Sequence, residues 1–226
     1  MVEENLMKTV ETRPQDWKMD FSMFQEAVEE IEEMLMIYRS GIREISTKLE
    51  ILNDDFQVRK QRNPIAYIKS RVKTPKSIYE KLGRKGFELS LKSAWENLDD
   101  IGGIRVICPY VDDIYTVADM LVAQDDVTLR EKKDYIQHPK ENGYRSLHLV
   151  LEIPVFFAEV VRPVRVEVQI RTIAMDFWAS LEHQLRYKGS GKVTEEMSHE
   201  LKDCAEVIAD TYLRMQHIRR KLDGIE

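Results

Sequence analysis

The sequence predicts an α+β domain, and three observations carry the prediction. Two long stretches, one toward each end, place apolar residues at alternating spacings of four and three, the mark of helices. Between them, short runs alternate apolar and polar residues with the period of two that a half-buried strand shows. A length of 226 residues suits one sizeable domain, which buries roughly 70% of its unfolded surface and needs no disulfide or metal staple.

Residues 1–19 are polar, contain Pro14 and show no period, and they read as a flexible tail ahead of a single domain spanning 20–226. An N-terminal helical segment over 20–60 opens near Asp20 or Ser22, either of which can cap it. Its apolar residues, Phe24, Val28, Ile31, Leu35, Tyr38, Ile42, Ile45, Leu49, Leu52 and Phe56, form a heptad seam, with Gly41 inside it as a candidate bend or break. The core, 61–190, begins with a loop from Pro64 that turns helical over Ser77–Arg84, Pro75 standing just before that turn as helix starts favour. Ile104–Cys108 reads as a strand ended by Pro109, and a helix from Asp112 or Asp113 runs through Met120. Val127–Tyr135 is a strand, Asn142-Gly143 a turn, and Tyr144–Ile153 the strand that follows it. Val164–Arg171 alternates most cleanly, with Val164, Val166, Val168 and Ile170 on one face and Arg165, Glu167, Gln169 and Arg171 on the other. Ile173–Tyr187 is helical, and a C-terminal helix over 191–226 carries a second heptad seam: Met197, Leu201, Cys204, Ile208, Thr211, Met215, Ile218 and Leu222. Two such seams predict self-association; the alternative is a pair of ordinary amphipathic helices covering a sheet.

Net charge is −6, which argues against a general duplex-DNA binder. The mean hides a local asymmetry, because residues 59–92 hold eleven Lys or Arg and only Glu80 and Glu88 as acids. A basic segment in an acidic chain reads as a docking surface for an anion, and a solvated helix face is the plainer alternative. No apolar run approaches the roughly 20 residues a membrane helix needs. The first residues carry Glu3 and Glu4 and lack a basic stretch followed by an apolar one, so no signal peptide is expected. Cys108 and Cys204 form no C-x-x-C pair, which leaves neither a disulfide framework nor a zinc site and fits a cytoplasmic protein.

Four groups could carry chemistry. Glu167 stands on a rigid strand among cations and amides, suited to a base or a metal ligand, although exposed strands commonly look this way. Asp99 and Asp100 precede Gly102-Gly103, and hard carboxylate oxygens suit Mg²⁺; a plain Asp/Gly turn is the other reading. Ser77, Lys81 and Arg84 lie at i, i+4 and i+7 on one helix stripe, with Arg71 and Lys73 extended before it. Such cations match a triphosphate, with nucleic-acid phosphates as the alternative. Lys140, Asn142, Tyr144 and His148 bracket a tight turn and could stack on and hydrogen-bond a base. Neither G-x-G-x-x-G nor a Walker A loop is present, so a nucleotide site here must rely on side chains.

Five stretches in order, R-V-K-x-x-x-S-I-x-x-K at 71–81, D-I-G-G-I-R at 100–105, K-E-N-G-Y-R-S-L-H at 140–148, E-V-Q-I-R-T at 167–172 and F-W-A-S-L-E-H at 177–183, resemble the synthetase domain of the RelA/SpoT alarmone family, in particular its small single-domain members. The resemblance implies a mixed β-sheet flanked by helices and related to nucleotidyltransferases. It implies transfer of pyrophosphate from ATP to the ribose 3′-hydroxyl of GDP or GTP, with AMP leaving. Asp100 then matches the Mg²⁺ ligand, and Glu167 the acid that activates the hydroxyl and also contacts the metal. Arg71, Lys73, Ser77, Lys81, Arg84 and Arg105 match the ATP side; Lys140, Asn142, Tyr144 and His148 match the guanine nucleotide side, with Tyr144 stacked on the base. The role of Asp99 stays open. The resemblance further implies a homotetramer. The hydrolase signature H-D-x-x-E-D of the long members has no counterpart here, so synthesis without hydrolysis is expected. A nucleotide- or RNA-binding regulator without catalysis, holding single-stranded RNA on residues 59–92, is the rival reading, and a purely structural oligomer a weaker one.

Overall fold

The computed structural model describes residues 16–60, 62–188, 194–222 and 224. The elements follow in the order α1 (Asp16–Lys60), β1 (Tyr67–Val72), α2 (Pro75–Lys85), α3 (Leu91–Asn97), β2 (Gly102–Cys108), α4 (Val111–Val122), β3 (Thr128–Asp134), β4 (Leu147–Phe156), β5 (Val161–Thr172), α5 (Ile173–Lys188) and α6 (Glu195–Leu222). Five strands make one mixed sheet in the order β1-β2-β5-β4-β3; β2 and β5 run parallel, and the other neighbours are antiparallel.

The alternation in β5 decides which side is core. Val164, Val166, Val168 and Ile170 are fully buried, and across the register they meet Ile153, Leu151, Leu149 and Leu147 of β4. Helix α1 lies over this apolar face, with Tyr38, Ile42, Ile45 and Leu49 buried, and α4 adds Ile114, Val117 and Leu121. The middle of the N-terminal seam is therefore spent on the chain's own sheet. The beginning is not: Phe24 is 65% and Val28 38% exposed.

Helix α1 begins at Asp16, ahead of the expected cap at Asp20 or Ser22, and the rest of the expected tail lies outside the described residues. It also runs through Gly41 without a break. That glycine serves close packing: a Cβ there would stand 2.6 Å from Val164 Cγ1 and 3.0 Å from Val164 Cβ. A valine on a central strand cannot swing aside. Gly41→Ala should therefore lower stability by about 1 kcal/mol and Tm by about 2–4 °C, because overpacking outweighs alanine's helix propensity. Thermal unfolding followed by circular dichroism measures this; an unchanged or raised Tm would show that α1 lifts off the sheet freely.

Two elements differ from expectation because neither has the period of a half-buried segment. Strand β1, expected as loop, is a sheet edge with four of its six residues exposed and only Ile68 and Val72 half-buried against the core, so its apolar face is too thin to mark it. Helix α3 is short and held by its cap, the Ser90 side chain accepting from Ser93 N at 3.1 Å. The strand expected from Tyr144 starts only at Leu147 and leaves Tyr144 in the preceding turn. Helix α2 also starts earlier than expected, with Thr74 as N-cap accepting from Ser77 N at 3.3 Å and Pro75 in the first turn.

Candidate active site

The floor of the site is the polar face of the sheet. Register sets Arg71, Gly103 and Glu167 in one row across β1, β2 and β5. Lys69, Arg105, Gln169, His148 and Lys133 form the next row. A cleft of about 250 Å³ opens over this floor and is lined by Lys69, Arg71, Lys73, Asp100, Arg105, Glu167 and Gln169, among others. Gly103 leaves the middle of the first row without a side chain, so Arg71 and Glu167 face each other across open space.

Asp100 ends the loop that leads into β2. Its Oδ2 accepts from Lys73 Nζ at 2.9 Å and from Lys81 Nζ at 2.5 Å, and Lys73 Nζ also donates to the Asp100 carbonyl at 3.1 Å. Burial alone would raise the carboxyl pKa, but the two lysines outweigh it and hold the group below its ordinary value. Oδ1 is buried and has no hydrogen-bond partner. A buried anionic oxygen with a free lone pair suits a hard divalent cation, which takes one or two carboxylates and completes its shell with phosphate oxygens and water. Glu167 lines the same cleft, so the donor set fits such an ion. Among the described residues no group of three or more acidic, His or Cys side chains could hold a metal without substrate.

Glu167 is held on both oxygens. Gln169 Nε2 donates to Oε2 at 2.8 Å, and His148 Nδ1 lies 3.2 Å from Oε1. Burial pushes its pKa up and the His148 and Gln169 hydrogen bonds pull it down; the net shift is downward, so the group is a carboxylate at neutral pH. On its other side His148 Nε2 is 2.8 Å from the Tyr144 hydroxyl, which itself accepts from Arg171 Nη2. Arginine can only donate, so the hydroxyl hydrogen goes to Nε2, and a neutral His148 carries its own hydrogen on Nδ1, toward Glu167. Arg171 Nη2 also donates to Gln169 Oε1 at 2.8 Å and closes the ring Arg171–Tyr144–His148–Glu167–Gln169.

The Lys140–Tyr144 turn is built by its own sequence. Gly143 adopts φ +85°, Gly143 N donates to Lys140 O at 2.8 Å, and Tyr144 N donates to Asn142 Oδ1 at 3.2 Å. Asn142 Nδ2 reaches Glu182 on α5 at 3.2 Å. Lys140 Nζ sits 4.5 Å from the ring centre of Tyr135 and 4.9 Å from that of Tyr144, while His148 meets both rings edge-on. Helix α6 closes in behind, with a Cβ on Gly143 placed 2.6 Å from Ala205 Cβ.

Of the sequence-derived candidates, Arg71, Lys73, Asp100, Arg105 and Glu167 come together in the cleft, and Lys81 reaches it through Asp100. Ser77 and Arg84 do not line it: Ser77 closes the first turn of α2, accepting from Thr74 Oγ1 at 3.0 Å, and Arg84 is exposed in the last. Tyr144 and His148 approach as expected, although from turn and strand rather than from one strand face. Asp99 points elsewhere and pairs with Arg165 at 2.6 Å. Sequence reasoning passed over Lys69, Arg171 and Asp176. Lys69 and Arg171 carried a faint signal, alternation with Arg71 and with Gln169; Asp176, on the first turn of α5, carried none.

A mixed sheet that sets two ionised carboxylates among a bank of cations over one cleft defines a polyphosphate site of the kind phosphoryl-type transfer uses. The chain belongs to the RelA/SpoT family: a model described as the region found in RelA / SpoT proteins matches residues 70–192. It is 40% identical to GTP pyrophosphokinase YwaC of Bacillus subtilis (strain 168) over 217 residues, 96% of this chain and 97% of that protein. It is 39% identical to GTP pyrophosphokinase YjbM of the same strain over 188 residues, 83% of this chain and 88% of that protein. The crystal structure of small alarmone synthetase 1 from Bacillus subtilis bound to its product pppGpp superposes with a TM-score of 0.79 at 37% identity, covering 86% of this chain and 99% of that one.

Proposed function

We propose that this protein transfers the β,γ-pyrophosphate of ATP to the ribose 3′-hydroxyl of GDP or GTP, releases AMP, and makes the (p)ppGpp-type product without hydrolysing it. The observation that carries the proposal is Glu167, an ionised carboxylate fixed on a central strand and facing a cleft lined by cations and Asp100. The 3′-oxygen attacks the β-phosphorus, a new P–O bond forms, and the bond from that phosphorus to the α,β-bridging oxygen breaks, leaving that oxygen on AMP. The hydroxyl proton passes to Glu167. Asp100 and Glu167 would hold Mg²⁺, which supplies charge neutralisation at the phosphates. Lys69, Arg71, Lys73 and Arg105 would neutralise and orient the triphosphate, with Ser77, Lys81 and Arg84 on the same ATP side. Lys140, Asn142, Tyr144 and His148 form the guanine nucleotide side, with Tyr144 as the stacking ring. Named pyrophosphokinases at about 40% identity over most of the chain support this reading.

Self-association into a tetramer belongs to the same reading. Met197, Met215, Ile218 and Leu222 on α6 and Phe24 and Val28 on α1 are exposed apolar residues of the two seams. No helix among the described residues is long and apolar enough to cross a membrane, and we place the protein in the cytoplasm. Exposed Lys76, Arg84 and Lys85 leave room for single-stranded RNA as a further partner. The test is incubation with Mg²⁺, GDP or GTP, and ATP labelled at the γ-phosphate. Label appearing in a guanosine 3′-diphosphate with AMP released supports the proposal; guanine nucleotide or RNA bound by folded protein without transfer supports the regulator reading instead.

A further inference from the structure

The two nucleotide sides of the cleft share one buried carboxylate that no part of the chemistry above uses. Asp176 sits on the first turn of α5 and is almost entirely buried. Its Oδ1 accepts from Arg105 Nη1 at 3.0 Å and from Arg171 Nη1 at 3.3 Å, and its Oδ2 accepts from Tyr67 Oη at 3.2 Å. Three strands, β1, β2 and β5, are thereby tied to one helix terminus. Arg171 is 4% exposed and cannot reach a substrate. It uses its remaining donors inward: Nε to Ser146 Oγ at 3.3 Å, and Nη2 to Gln169 and the Tyr144 hydroxyl. Arg105 lines the cleft on the ATP side, and its Nε is buried without a partner. Among the described residues its guanidinium is held by Asp176 alone, and its orientation rests on that contact.

We propose that Asp176 is a positioning residue common to both subsites, one carboxylate that orients Arg105 toward ATP and, through Arg171, fixes the Tyr144 hydroxyl on the acceptor side. Two guanidinium groups converge on a single oxygen. Without the negative charge between them they repel, Arg105 loses its anchor, and Arg171 is freed to move away from Tyr144. The arrangement explains why a buried ion cluster stands beside the cleft rather than within it. It also makes the two halves of the site interdependent, because neither arginine can shift without loosening the other.

This inference rests on the proposed function, and the wild-type assay separates the two: no pyrophosphate transfer by wild type overturns the function, whereas an active wild type lets the variants decide the role of Asp176. Asp176→Asn keeps the size and the Oδ1 acceptor but removes the charge. KM for ATP and KM for the guanine nucleotide should each rise about tenfold, the scale of one charge-assisted hydrogen bond, with a smaller change in kcat. Tyr144→Phe keeps the ring and removes the hydroxyl. In that background Asp176→Asn should still raise KM for ATP and should no longer raise KM for the acceptor, a pattern that general loosening of the fold does not produce. Should Asp176→Asn fail to fold, Tyr67→Phe frees Oδ2 alone and is expected to raise both KM values in parallel by about two- to fivefold. Either KM unchanged in Asp176→Asn, a full acceptor effect persisting in the Tyr144→Phe background, or wild-type KM values in Tyr67→Phe would overturn the proposal.

Discussion

Glu167→Gln is expected to lower kcat for pyrophosphate transfer by about 10²–10⁴-fold while leaving nucleotide binding close to wild type. The amide has the size of the carboxylate, so the floor of the cleft keeps its shape. It cannot take the proton of the 3′-hydroxyl, and it offers a metal only a neutral oxygen. The change also turns one acceptor into a donor facing either His148 or Gln169, both of which donate to Glu167 in the wild type. His148 can answer by changing tautomer, which reverses its bond with the Tyr144 hydroxyl. Steady-state kinetics alongside calorimetric binding of GDP separates the two effects. Wild-type kcat in this variant would remove Glu167 from the chemistry; loss of GDP binding with kcat preserved at saturation would make it a binding residue.

Asp100→Asn is the second large effect. Lys73 and Lys81 both converge on Asp100 Oδ2, and all three side chains are less than a quarter exposed. Neutralising the carboxylate leaves two partly buried ammonium groups without their counter-charge and removes the oxygen best placed for a hard cation. kcat/KM is expected to fall by about 10³-fold, corresponding to several kcal/mol of charge stabilisation, and the Mg²⁺ concentration for half-maximal rate to rise. A magnesium titration of the variant checks this; an unchanged Mg²⁺ requirement would show that Asp100 orders the lysines and does not hold the metal. The pH dependence has a definite sign. The folded-state pKa of Asp100 lies below its ordinary value, so the ion cluster contributes stability above the unfolded pKa. That contribution is lost as pH falls through the depressed value, and the stability gap between wild type and Asp100→Asn should close in strong acid.

How much of this was legible in the sequence depended on burial. Strand β5 was legible because one face is completely buried and the other is polar, so its period of two survives over eight residues and points to Glu167. Helix α1 was legible as a helix, but its seam did not say that the middle packs on the chain's own sheet. An alternating four-and-three spacing serves a helix lying across a sheet as well as one lying along a partner, and Gly41 reads as a break only when Val164 is out of view. Strand β1 turns only Ile68 and Val72 to the core, each half-buried and with Ser70 between them, so its period is faint. The cations of residues 59–92 were legible from local charge density; the convergence of Lys73 and Lys81 on Asp100 is a tertiary fact, joining residues 27 and 19 positions apart. Asp176 was the least legible of all, since its partners come from positions 67, 105 and 171 and the parallel pairing of β2 with β5 is what brings Arg105 beside Arg171 and the start of α5.

The contact between Gly143 and α6 extends the reach of the site into a remote part of the chain. With Ala205 Cβ only 2.6 Å from where a side chain on Gly143 would begin, and Lys202 Cα at 3.5 Å, the back of the acceptor-side turn is cast against one turn of α6. A larger residue at position 205 would press on the backbone that aims Asn142 and Tyr144. A substitution at this spot on α6, remote along the chain, would be felt first as a change in how the turn that carries Asn142 and Tyr144 is set.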